Sequence, residues 1–169
     1  MEHDPYAKAF PVPAFPLTSS DFPPGGPLPP SAYATTDGPG ESPALSWGPL
    51  PEGARSLVVT AFDADAPIPG GLWHWAVKDV PASVGGLARG AADRLPPGAS
   101  HLANDLGHAA YSGAKPPPGT GTHRMFVAVT ALDVDVLEVP RGASLAMLHI
   151  LMIPHTVGRA VLVGTSVAP

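Results

Sequence analysis

The chain has 169 residues, 44% of them apolar and 14% charged, with nine basic residues against fourteen acidic ones for a formal net charge of −5. This length suits a single domain with a real core. The absence of cysteine excludes disulfides, thiol nucleophiles and cysteine-ligated metal centres, and three lysines with no basic run exclude the electrostatic footprint of a nucleic-acid binder.

The first segment, MEHDPYAKAFPVPAFPL, is acidic at its start and broken by four prolines. It reads as neither a signal peptide nor a membrane span, which places the protein in the cytoplasm, and residues 1–16 read as an extended arm of one domain covering 1–169. Twenty-four prolines and nineteen glycines lie between apolar segments as turn punctuation. That density argues against a helical protein, since a proline inside a helix costs about 3 kcal/mol. Pro23–Pro30 reads as loop, and Leu45-Ser46-Trp47 as a short strand.

The run 56–62 (SLVVTAF) is apolar on both faces and predicts a central strand. It delivers Asp63 and Asp65 to a turn built from Ala66-Pro67 and Pro69-Gly70-Gly71, after which 72–77 predicts the next strand. Strict alternation puts Trp73, Trp75 and Val77 on one face and His74 on the other. Residues 82–100 read as a long loop and 104–122 as turn chemistry, leading into a strand over 123–132 with His123, Met125, Val127 and Val129 on one face. Residues 144–153 form the one good helical window, with Ser144 as N-cap and Pro154 limiting it, and a last strand covers 160–165. Short strands with one late helix predict a mainly β chain, an antiparallel β-sandwich with a short C-terminal helix.

Titratable groups concentrate in two segments, Phe62-Asp63-Ala64-Asp65-Ala66-Pro67 with Trp73-His74-Trp75, and Gly119-Thr120-Gly121-Thr122-His123-Arg124. A carboxylate beside an imidazole favours the charged ring and fixes its orientation, a role open to Asp63 or Asp65 toward His74. With His123 brought alongside, the backbone N–H groups of 119–121 would add an anion-binding nest, giving a pocket for a phosphate, carboxylate or enolate-like oxygen. The same residue types also fit a core histidine between two tryptophans, with Asp65 capping a turn. A His-x-Asp pair of the facial-triad kind is absent, so no metal is expected, and there is no Gly-x-Ser-x-Gly elbow.

The succession SPALSW, LVVTAFDADAPIPGGLWHWAVKDVP and NDLGHAAYSGAKPPPGTGTHRMFVAVTAL resembles the phosphatidylethanolamine-binding protein family, in its bacterial, Raf kinase inhibitor-like branch, from about Phe15 to Thr165. The resemblance implies Greek-key connections in the sandwich and an anion pocket with Asp63 and His74 on one wall, His123 on the other and Pro67 and Pro117 at the rim. Trp73, Lys115 and Met125 complete the implied ligand-binding set, and Asp63, His74 and His123 are the candidate catalytic residues. It further implies a cis Ala66–Pro67 bond, a structural Asp65–Arg124 pair, no cofactor, and a possible homodimer. Three departures stand out: Ala64 where the family has proline, Met125 where it commonly has a tyrosine hydroxyl, and Lys115 near the rim where a small residue is common. The implied function is binding of a small molecule with an anionic or carbonyl group. The alternative is a biosynthetic enzyme acting on a polyketide-like carbonyl substrate, with His74 and Asp63 as acid/base and His123 as oxyanion partner.

Overall fold

The computed structural model describes residues 4–36, 38 and 40–168. The strands are β1 (Leu17–Thr18), β2 (Leu45–Trp47), β3 (Ser56–Asp63), β4 (Leu72–Pro81), β5 (Gly86–Leu87), β6 (Ser100–His101), β7 (His123–Leu132) and β8 (Thr156–Ser166), with one α-helix, α1 (Leu145–Met152), before the last strand. They form a five-stranded sheet in the order β6-β4-β3-β7-β8 and a three-stranded sheet in the order β1-β2-β5, with every ladder antiparallel. The expected class, mainly β with one short late helix, is what the chain adopts. Within the segment expected as one long loop, the chain adds β5, a 3₁₀ turn at Ala91–Asp93 and the start of β6.

β3 is central because both its faces are apolar, and all eight of its residues are buried. On one face Leu57 and Val59 join Trp75, Val77, Val127 and Val129 in a core shared with Leu45, Trp47 and Leu87 of the small sheet. On the other, Val58, Ala76 and Leu132 meet Leu145, Leu148 and Met152 of α1. The helix begins where expected, the Ser144 hydroxyl accepting the Met147 N–H. Pro154 lies in the 3₁₀ turn Ile153–His155 that follows.

Two bulges in β4 overturn strict alternation. Ala61 pairs with Trp75 but Phe62 pairs with Trp73, leaving His74 as an extra residue. Trp73 therefore turns to the α1 face, against Phe62 and His149 at ring separations of 4.5 Å each, while Trp75 stays in the core between the sheets. In the second bulge Leu57 pairs with Val80 and Val59 with Val77. Asp79 there takes φ 60°, held by accepting the Leu137 N–H at 2.8 Å and by an ion pair with Lys78.

The outer edge of β8 is covered by the chain's own beginning. Pro13 O accepts the Arg159 N–H, Gly26 O accepts the Thr165 N–H, and the Gly25 and Leu28 N–H groups reach Val163 O and Thr165 O. These bonds satisfy the strand groups that would otherwise template another chain.

Candidate functional site

The loops at the end of β3, the start of β4 and the start of β7 surround a cavity of about 560 Å³. Asp63, the last residue of β3, is buried and uses both carboxylate oxygens. Oδ1 accepts the Asp65 N–H at 2.9 Å, closing the turn, and Oδ2 lies 2.7 Å from His123 Nδ1. The carboxylate expected to orient His74 thus orients His123, because the two residues sit at the paired ends of β3 and β7, where Asp63 is in register with Met125.

The turn from Ala66 to Gly71 closes through Ile68 N–H to Ala66 O at 2.7 Å and Gly71 N–H to Ile68 O at 3.3 Å. Gly71 takes φ 72°, and a Cβ there would meet the Phe62 ring and lie 2.6 Å from Asp63 O, so only glycine fits. The expected cis Ala66–Pro67 bond is not formed: this peptide is trans. With Ala64 in place of a proline and two left-handed glycines at 70 and 71, the turn is made without it, and trans is the preferred isomer before proline.

His74, 4% exposed, projects from the bulge. Its Nδ1 lies 2.7 Å from Ser112 O, a carbonyl that can only accept, so Nδ1 carries the proton. Its Nε2 is buried and has no partner among the described residues. Burial pushes the ring below the ordinary histidine range, with the Ser112 hydrogen bond and the Asp63 charge opposing more weakly. His74 therefore presents a neutral ring with a lone pair on Nε2.

His123 differs. Its Nε2 lies 2.8 Å from Thr120 Oγ1, and that hydroxyl also lies 2.7 Å from Pro117 O. The hydroxyl has one proton; directed at Pro117 O, it leaves an Oγ1 lone pair toward Nε2. Of the amide donors expected at 119–121, the Thr120 N–H turns back to Pro117 O at 3.3 Å.

Asp65 and Arg124 tie the two motifs together: both Asp65 oxygens meet the guanidinium, at 2.7 and 2.8 Å, and Oδ2 also accepts the Arg124 N–H at 2.9 Å. The Arg124 guanidinium holds the Asp65 carboxyl below the usual carboxylate range.

Pro67, Lys115 and Pro117 line the cavity with Asp63, His74 and His123. Trp73 and Met125 do not reach it: Trp73 lies against His149, and Met125 is packed into the core between the sheets. Sequence reasoning missed Thr35, Leu106, His108 and Ser112, which also line it. Asn104 organises the last three. Its amide donates to His74 O, Ala110 O and Ser112 Oγ, and its carbonyl accepts the Leu106 and His108 N–H groups. An asparagine opening Asn-Asp-Leu-Gly was the available signal. Among the described residues no three His, Asp or Glu converge as metal ligands, and no helix is long and apolar enough to cross a membrane.

The phosphatidylethanolamine-binding protein family model matches residues 18–167. The Escherichia coli K12 UPF0098 protein YbhB is 40% identical over 73% of this chain and 80% of its own. The crystal structure of E. coli YbcL, titled a new member of the mammalian PEBP family, superposes with a TM-score of 0.84 at 32% identity, covering 93% of this chain and all of that one. A Mycobacterium tuberculosis H37Rv relative, LppC, carries a lipoprotein name and is 35% identical over 92% of this chain and 75% of its own.

Proposed function

Because this chain belongs to the phosphatidylethanolamine-binding protein family, we propose that its cavity binds a small molecule through an anionic or carbonyl oxygen. The observation that carries this reading is the buried, unpartnered Nε2 of His74, a residue that lines that cavity, since a buried polar atom without a partner costs about 1–3 kcal/mol unless a ligand or water satisfies it. The two imidazoles ask for different things. His123 Nε2–H offers a donor to an oxyanion or carbonyl oxygen, at the place Thr120 Oγ1 now occupies. His74 Nε2 offers an acceptor, so the ligand should also carry a proton, as a monoprotonated phosphate or a hydroxy acid does. Lys115 adds a cation at the mouth, and the neighbouring apolar groove that shares Ala34, Thr35, Lys115 and Pro117 gives room for the rest of the molecule.

Inorganic phosphate is the probe. Titrated near pH 6.5 while the histidine ring resonances are followed by NMR, it should shift His74 and His123 together and saturably, and His74→Ala and His123→Ala should each weaken it by about tenfold or more, the size of one charge-assisted hydrogen bond. Undiminished phosphate binding in both variants would remove the reading.

A second reading, acid/base catalysis beside a carbonyl, rests on the 2.7 Å Asp63–His123 contact. Its roles differ from those expected: Asp63 orients His123 as the proton donor, and His74 Nε2 is the base. Deuterium exchange into acetylacetone provides the assay, and exchange as fast with His74→Ala as with the wild type would exclude it. We further propose a cytoplasmic location, which cell fractionation tests.

A further inference from the structure

On the opposite face of the five-stranded sheet, the arm at residues 5–10 and α1 enclose a separate cavity of about 460 Å³. Phe62 and Trp73 contribute from the sheet, His149 from the helix, and Tyr6 and Phe10 from the arm. Arg159, on β8, stands among them half-buried, its Cζ 5.9 Å from the Tyr6 ring centre and 5.1 Å from that of Phe10. Among the described residues no carboxylate pairs with this guanidinium, and its N–H groups have no hydrogen-bond acceptor. The cavity wall holds Lys8 as a second cation and no acid. Burial lowers the Arg159 pKa, and the one group that opposes the shift is a tyrosine.

A desolvated guanidinium is normally matched by a carboxylate or phosphate, because its planar fork binds two oxygens at once. Here the fork is fixed by two flanking rings and left without its anion. The wall beside it is aromatic, with Trp73 packed at a tilt between Phe62 and His149, so the remaining space favours a flat ring at its edge or face. His149 Nδ1 lies 2.7 Å from Leu145 O and so donates there, which leaves its Nε2 as an acceptor for a hydroxyl. The volume lies within the roughly 300–1,000 Å³ of small-molecule sites.

The geometry points to a second binding site, independent of the His74–His123 cavity, for a planar aromatic carboxylate whose carboxylate meets Arg159 and whose ring lies against Trp73 and Phe10. The test is an NMR titration of the full chain with 4-hydroxybenzoate. The Trp73 indole and Arg159 Nε resonances should shift saturably while the His74 and His123 rings stay put. Arg159→Met should weaken binding by about tenfold or more, and cyclohexanecarboxylate, with the same charge and no ring face, should bind several-fold more weakly. Phe10→Ala, at a more exposed position, tests the same site if Arg159→Met does not fold, and it too should weaken binding. Absence of a saturable shift at Trp73, equal affinity in these variants, or shifts confined to His74 and His123 would each overturn the assignment.

Discussion

What separates His74 from His123 is the fate of the second ring nitrogen: one is empty-handed, the other is held by Thr120. If the Thr120 hydroxyl stands where a ligand oxygen would bind, removing it removes an internal competitor. Thr120→Val is expected to raise phosphate affinity several-fold, an inexpensive gain because no new contact is needed; isothermal titration measures it, and weaker binding would give Thr120 a supporting role instead. The acid side of stability is also set by single residues. His74 and His149 are pushed down by burial, so the unfolded chain takes up protons that the folded one does not. Their contribution is complete above the ordinary histidine value of about 6.5 and declines as pH falls below it. Asp65, held low by Arg124, adds a second contribution that is present above about pH 3.9 and is lost below it. Urea midpoints should therefore decline from about pH 6.5 and steepen again below about pH 4, and Asp65→Asn should shrink the second step, of which Asp21 beside Arg89 keeps a share, at a cost of about 2 kcal/mol at neutral pH. The types of Asp63, His74 and His123 were legible in the residues, and their meeting was implied by the family resemblance. Which imidazole the carboxylate serves was not legible, because it depends on the register that sets the end of β3 beside the start of β7.

Among the elements, β3, β7 and α1 announce themselves: β3 by an unbroken apolar run, β7 by a longer one, α1 by a capping serine before its only apolar helix window. β5 and β6, two residues each, carry no periodicity, and their pairing is decided by what lies beside them. The bulges of β4 are equally silent, since alternation cannot show where two residues will oppose one. The second bulge makes Asp79 a test of how such a defect is maintained. Asp79→Ala should cost about 2–3 kcal/mol, by stranding the Leu137 N–H and removing the counter-charge of the Lys78 ammonium, which keeps only Leu137 O, whereas Asp79→Asn should cost less, since asparagine tolerates φ near 60° and keeps an acceptor. Ser144→Ala should cost about 1 kcal/mol through the lost cap on α1. Urea unfolding measures all three.

For the whole molecule, the decisive feature is the covering of β8 by residues 13 and 25–28. The same stretch of chain closes the sheet edge and, through the arm before it, walls the Arg159 cavity. A chain lacking residues 1–16 is expected to bare part of that edge and to self-associate, as light scattering would show; a strictly monomeric product would mean that 25–28 suffice. The covering also has a consequence in time. The segments that shield β8 are made well over a hundred residues before their partner, so at about 5–20 residues per second they wait on the order of ten seconds or more for it. Neither the edge nor the arm can reach its final place until β8 has been made, which makes the emergence of that strand, rather than any earlier moment in translation, the point at which this fold closes.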